Sequence, residues 1–338
     1  MSRKTRKLKN KLLVPFEWIG IGLGLCLIPW LPRRALFGLC DVLSAIMYFF
    51  DRRGKRRALH NLRIIRRRDA YICSEQIYAE VAFDPDKAKY DPTLAEARII
   101  RRSYRSMSRT VGYAFWTCFR AKVRCAETGE MCLEARRFLT ENRPCVTVSG
   151  HIGCWEILSQ LAFLEGHRMM SVAKDIGTGG MTALLMRARR SIGQEIVPAE
   201  GAFKPLLQGI RDGKSLGLLV DQSVSPKRGG VWVRFLGLPI AVSAAPAFFA
   251  AKGKAPIVVA WSRPLRDGRY RCEIVDTIPA AEARDVWATT QRIARDLERV
   301  VRRHPSCWVL NYNFFSNFPF PKDLQTLEER EIRVRSAG

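Results

Sequence analysis

The chain has 338 residues, 47% hydrophobic and 26% charged, and its 57 Lys and Arg against 32 Asp and Glu give a formal net charge of +25. This composition excludes a disordered chain and leaves room for one large α/β domain, or two modest ones, with a well-buried core. A charge of this size points to a polyanionic partner (nucleic acid, an anionic membrane surface, or an acidic substrate or carrier protein) and says nothing about fold.

In chain order, residues 2–11 carry Arg3, Lys4, Arg6, Lys7, Lys9 and Lys11, and an apolar stretch follows from Leu12 to Leu31. No small-residue cleavage site comes after it, which argues against a signal peptide. The stretch just reaches the roughly 20 residues that a spanning helix needs, although it holds Pro15, Glu17 and Pro29. It reads as a membrane anchor, and Ala35–Phe50, which carries Asp41, as a second helix that is interfacial or buried. Both could instead be core helices of a soluble domain. The cations from Arg52 to Arg68 lie just past the apolar pair and read as a juxtamembrane patch for anionic headgroups. These features divide the chain into an anchor and interfacial helix over 1–50, a catalytic domain over 51–320 and a polar tail over 321–338.

Residues 69–92, with Asp84-Pro85-Asp86 and Asp91-Pro92, read as a polar loop. The spacing from Thr93 to about Arg120 predicts a helix with Ile99, Ser103, Met107 and Val111 sharing a face with Tyr104 and Phe115. From residue 144 onward, strands and helices alternate. Strands are expected near 145–148, 169–173, 195–197, 215–220, 256–261 and 271–275. Helices are expected near 155–164, 181–191, 202–211, 244–252 and 287–303. The pattern implies an α/β fold with a mostly parallel central sheet flanked by helices. The ten cysteines sit in apolar surroundings and none forms a Cys-x-x-Cys pair, so they read as small buried thiols in a reducing compartment and no metal site is expected.

Ligands of such sheets bind beyond the carboxyl ends of strands. Two strands end on polar groups: one runs into Ser149-Gly150-His151, the other into Asp221-Gln222. Gly150 and Gly153 keep the first turn open. Glu156, just inside the next helix, can fold back toward the imidazole, where a carboxylate on the distal ring nitrogen would fix the tautomer. The near nitrogen could then take a proton from an alcohol. A lone His beside a Trp at a helix start also reads as a structural residue, and spacing alone does not separate the two.

The run Val148-Ser149-Gly150-His151-Ile152-Gly153-Cys154-Trp155-Glu156 resembles the His-x4-Glu motif of the bacterial lipid A late (lauroyl and myristoyl) acyltransferases, in the glycerolipid acyltransferase superfamily. Other family-like blocks follow in order. Asp51-Arg52-Arg53 through Asn61-Leu62 resembles a basic stretch ending in Asn-Leu. Leu219-Val220-Asp221-Gln222, then Gly229 to Gly237, resembles the Asp-Gln and Gly-Val-x-Val-x-Phe-x-Gly block. Ala245-Pro246-Ala247 and Ala255-Pro256-Ile257 continue it.

The resemblance implies an acyltransferase of that fold with an N-terminal anchor, His151 as general base and Glu156 as its orienting partner. Arg187 or Arg189, and Asp221, match further functional positions on the substrate side. It implies an acyl-carrier-protein thioester (or acyl-CoA) as co-substrate with no other cofactor, an anionic glycolipid acceptor and membrane lipids as partners. It also implies a bacterial inner-membrane location with the catalytic domain on the cytoplasmic face. Two departures bear on the acceptor: the C-terminal block reads Trp308-Val309-Leu310-Asn311-Tyr312-Asn313-Phe314-Phe315 without the usual Arg, and Ala241-Val242-Ser243 replaces the frequent Ala-x-Thr. Another glycolipid or aminolipid acceptor, or a non-enzymatic basic membrane or nucleic-acid-binding protein, are the competing readings. No nucleic-acid module stands out.

Overall fold

The computed structural model describes residues 27–67, 84–173, 179–315 and 327–330. Nearly all of the expected anchor, the Arg68–Phe83 stretch of the expected loop and most of the tail lie outside these residues. Among the described residues no helix is long and apolar enough to cross a membrane.

Helices α1 (Arg33–Phe50), α2 (Arg52–Arg66) and α3 (Leu94–Trp116) come first. Their starts follow from local chemistry. Asp51 accepts a hydrogen bond from the Gly54 amide at 2.7 Å. Thr93 and Glu96 form a reciprocal capping box, the Thr93 amide donating to Glu96 Oε2 at 2.8 Å and the Glu96 amide to Thr93 Oγ1 at 3.2 Å. Such caps satisfy otherwise orphaned amides and stabilise a helix by about 1 kcal/mol each.

The α3 face keeps much of the expected set: Ser103 and Tyr104 are buried, and Ile99 and Met107 pack against the core. It departs at Val111, which is exposed, while Ile100 and Ser108, then Tyr113, Ala114 and Trp116, are also buried. The helix serves two cores in turn, packing its first half with α2 and its second half with α1, so its inward face drifts around the axis.

The sheet has seven strands in the order β1-β9-β8-β2-β5-β3-β4. These are β1 (Gly129–Met131), β2 (Val146–Ser149), β3 (Met169–Ala173), β4 (Glu195–Pro198), β5 (Ser215–Leu219), β8 (Ile257–Pro264) and β9 (Tyr270–Ile278). All neighbours pair in parallel except β8 and β9. The expected mostly parallel sheet is therefore present, with one antiparallel pair.

Helices α4 (Ala121–Thr128), α5 (Leu133–Glu141), α6 (Trp155–Leu164), α7 (Gly179–Ser191), α8 (Phe203–Arg211), α9 (Ala245–Gly253) and α10 (Val286–Arg303) complete the layers. Side chains alternate between the two faces with the strand period of two. Val146, Val148, Ile257 and Val259 join the core under α8, α9 and α10, while Cys145 and Val258 join the one under α5 and α6. This double covering explains the nearly continuous apolar runs of the central strands.

A hairpin of β6 (Gly230–Phe235) and β7 (Leu238–Ser243) stands apart from the sheet. Its two-residue turn is Leu236-Gly237, both with positive φ (56° and 81°), as a two-residue hairpin turn of the type I′ class requires.

The eight cysteines among the described residues are free, and all but Cys132 are buried. Burial pushes the buried thiols up, to about 11 for Cys40 and about 12 for Cys125 and Cys272. They are packing residues, as expected.

Candidate active site

Strand register builds the site. β2 and β5 are adjacent and parallel, with Ser149 opposite Leu219. His151 and Asp221 each lie two residues beyond that pair, so the register delivers both to the same carboxyl edge. Gly150 lets them meet: a Cβ there would approach Asp221 Cβ, Cγ and Oδ2 to 3.1 Å.

His151 Nδ1 lies 2.7 Å from Asp221 Oδ1, and its backbone amide donates to Asp221 Oδ2 at 2.8 Å. The Trp308 indole also donates to Oδ2, at 2.9 Å. The Asp221 side chain is wholly shielded from solvent, while that of His151 remains 22% exposed. Burial pushes the Asp221 carboxyl up, but His151 and the N–H donors around it outweigh this and hold it below its usual range. Burial likewise opposes charge on His151, yet the adjacent Asp221 carboxylate raises the imidazole above its ordinary 6.5. An ionised Asp221 requires a proton on Nδ1, which leaves Nε2 of the neutral ring bare and directed to the open side.

The expectation that Glu156 holds the distal imidazole nitrogen is corrected by this geometry. Glu156 is buried at the start of α6, where its oxygens accept from Arg189 Nε at 3.0 Å and Arg189 Nη2 at 2.6 Å, and from the Trp155 indole at 3.1 Å. A carboxylate five residues along the chain points down the first helical turn. The carboxylate that reaches the ring is 70 residues away and comes from the neighbouring strand. Trp155 still borders His151, with ring centroids 5.0 Å apart.

The arginine cluster also resolves. Arg189 turns inward onto Glu156, so its guanidinium is engaged by protein rather than open to a substrate. Arg187 is exposed and lies over the Phe119 ring, 5.7 Å from its centroid. Neither touches His151.

The turn from His151 to Cys154 is held from three sides. Gly153 donates to the Cys307 carbonyl at 2.9 Å, its own carbonyl accepts from Thr110 Oγ1 at 3.0 Å, and the His151 carbonyl accepts from the Val309 amide at 3.2 Å. Gly153 has φ +65°, and a Cβ there would fall 2.0 Å from the Ser262 carbonyl oxygen; only glycine fits.

The segment after α10 closes over the site. Asn61 of α2 donates to the Leu310 and Tyr312 carbonyls at 2.7 and 2.8 Å, and Ser103 of α3 bonds the Trp308 carbonyl and the Leu310 amide. Trp308 is fully buried, stacked on Phe314 with centroids 3.9 Å apart and edge-on to Phe235 at 5.8 Å. Gln222 Nε2 lies 3.4 Å from His151 Nε2, and the Tyr312 hydroxyl donates to Gln222 Oε1 at 3.3 Å.

The sequence marks Asp221-Gln222 as a polar strand end, but the Asn61-Leu62 pair and the Trp308 block only as pieces of a resemblance. No spacing signal showed that they converge. An apolar pocket opens beside Asp221, lined by Val220, Phe235, Val242, Ile293, Ala294 and Leu297, with Ser243 and Thr290 as polar members.

The other histidines are built into packing. Burial lowers His60, to about 4, with the Arg67 charge adding to the effect. His167 bridges Ser215 Oγ and the Leu139 carbonyl, both at 2.8 Å. His304 stacks on Trp261 at 4.7 Å.

A model of the family described as bacterial lipid A biosynthesis acyltransferase matches residues 91–315, well over half of the chain and including all of the His151 and Asp221 constellation. No curated protein matches the chain. The family match spans the ordered motifs from Val148 to Ile257, and on that basis the chain belongs to the bacterial lipid A biosynthesis acyltransferase family.

Proposed function

We propose that this acyltransferase moves a fatty acyl group from an acyl-carrier-protein thioester to a hydroxyl of a lipid A precursor, with His151 as general base and Asp221 as its orienting partner. The family supplies the acyl transfer and the lipid A-like acceptor. The observation that carries the mechanism is the bare Nε2 of His151 on the open side of a ring whose Nδ1–H is pinned by the shielded Asp221.

The acceptor hydroxyl gives its proton to Nε2 as its oxygen forms a bond to the thioester carbonyl carbon. The tetrahedral intermediate collapses with cleavage of the C–S bond. The leaving thiolate recovers the proton from the imidazolium, and Asp221 stabilises that cation while it lasts. Glu156 and Arg189 brace the start of α6 behind the His151 turn.

The carrier-protein donor is supported by the net charge of +25, which suits an acidic carrier as well as an anionic acceptor. Membrane attachment, at a bacterial inner membrane with the catalytic domain on the cytoplasmic face, is supported by α1. This helix exposes Leu39, Val42, Leu43, Ile46, Met47 and Phe50 at helical spacing, with Arg33 and Arg34 in its first turn and Arg52 and Arg53 after it. An apolar stripe between cations suits an anionic lipid interface.

The test is acyl transfer by the detergent-solubilised full chain, offered matched carrier-protein and coenzyme A thioesters with a lipid A precursor. His151→Ala should lower turnover by about 10²–10⁴, and the carrier-protein thioester should be preferred, most strongly at low salt. Native turnover by His151→Ala would remove the mechanism. A preference for the coenzyme A thioester would remove only the donor.

A further inference from the structure

Acyl transfer needs one thing more than a base. As the hydroxyl oxygen adds to the thioester, the carbonyl oxygen takes up negative charge and requires preorganised N–H donors. Gln222 meets the position and the chemistry. It follows Asp221 at the carboxyl end of β5, so the same register that places Asp221 under the imidazole places Gln222 beside its outer edge.

Its amide orientation is set by its neighbours. Tyr312 O–H donates to Gln222 Oε1 at 3.3 Å, which turns Nε2 toward His151. In the neutral ring His151 Nε2 carries no proton, so the amide faces it as a donor across 3.4 Å. That separation exceeds the usual range for such a bond, so the amide N–H groups are near the imidazole but not committed to it. An alcohol bound to Nε2 would enter beside this amide.

We propose that Gln222 is a catalytic residue whose side-chain amide, held by Tyr312, donates to the thioester carbonyl oxygen as it becomes an oxyanion. The inference rests on the reading of His151 as general base. The group balance is that of the transfer itself: a C–O bond forms and a C–S bond breaks. The hydroxyl proton passes through His151 to the thiolate, and Gln222 gives and takes no proton. Its contribution is confined to the tetrahedral stage, where charge sits on the carbonyl oxygen.

The test is steady-state transfer from a lauroyl thioester to a lipid A precursor, across pH, by native protein and the variants Gln222→Ala, Gln222→Glu, Tyr312→Phe and His151→Ala. Gln222→Ala should lose about 10²–10³ in kcat, as loss of one oxyanion donor does. Its KM should stay within about twofold and its acid limb should stay in place, because an uncharged amide acting on the carbonyl oxygen leaves the imidazole pKa alone. Gln222→Glu keeps the size but not the donor and should lose at least as much, so a folding defect of the alanine variant does not decide the matter. Tyr312→Phe loosens the amide and should lose less.

The proposal is overturned if either Gln222 variant turns over at the native rate while His151→Ala is inactive. It is overturned equally if the Gln222→Ala loss lies in KM, or is accounted for by a shifted acid limb, which marks a group acting only through the imidazole. Native turnover by His151→Ala would instead remove the reading on which the proposal stands.

Discussion

At the scale of residues, the buried carboxylates Asp221 and Glu156 have separate tasks. Asp221 serves the imidazole; Glu156 serves Arg189, and both members of that second pair are largely shielded, with 7% and 13% side-chain exposure. Burial pushes the Arg189 guanidinium toward neutrality, and Glu156 outweighs it and holds the charge. Removing one member strands the other, at a cost of about 3–5 kcal/mol, whereas replacing both with apolar residues costs less. Glu156→Gln should therefore lower the urea unfolding midpoint markedly, and Glu156→Leu combined with Arg189→Met should recover part of the loss. Its turnover should fall through a loosened α6, with the acid limb of the pH profile moved little compared with Asp221→Asn. A large limb shift in Glu156→Gln would return Glu156 to direct service of the imidazole.

At the scale of elements, the site is a junction of strand ends and a strap. The carboxyl ends of β2 and β5 were legible in the sequence, because each apolar run stops at a polar residue: His151 after Ser149-Gly150, Asp221 after Val220. Their registration was not legible, since pairing between strands 70 residues apart leaves no local mark. For the same reason Glu156, near in sequence, looked like the partner that Asp221 turns out to be. The β6–β7 hairpin was missed although Val231, Val233 and Phe235 alternate, because the Leu-Gly turn lacks the usual Asn or Asp at its first position.

Two predictions belong to this scale. Gly153→Ala would drive a Cβ into the Ser262 carbonyl at positive φ. It should abolish transfer or leave the protein unfolded, and an active, stable variant would contradict the described turn. Asn61→Ala deletes both hydrogen bonds to the Leu310 and Tyr312 carbonyls. With one buried and one partly buried acceptor left unpaired, stability should fall by about 1–3 kcal/mol. Turnover should fall with it, as Tyr312 loses its seat; unchanged unfolding and turnover would show that the strap is held elsewhere.

At the scale of the whole molecule, the basic charge and the apolar stripe of α1 belong to one surface chemistry. Composition alone left the partner open among nucleic acid, membrane and acidic protein. The stripe narrows it, because an exposed apolar helix face has no use on a nucleic-acid surface. The Ala35–Phe50 helix was expected as interfacial or buried; it packs one face on α3 and leaves the other to solvent. Ile46→Glu combined with Phe50→Glu places two charges on that open face. The full chain carrying both should sediment less with phosphatidylglycerol vesicles than the native chain, with unfolding unchanged. Equal sedimentation would show that α1 does not meet the bilayer.

The central claim is that His151 is a base tuned by Asp221, and the pH dependence of acyl transfer by native protein and Asp221→Asn tests it most directly. On the proposed mechanism neutral imidazole is the active form, and Asp221 raises its pKa. Native turnover should therefore fall as pH drops through an apparent value above 6.5. Asp221→Asn should turn over about 10²–10⁴ more slowly, with its acid limb moved to lower pH. Native turnover with an unmoved limb in Asp221→Asn would contradict the account.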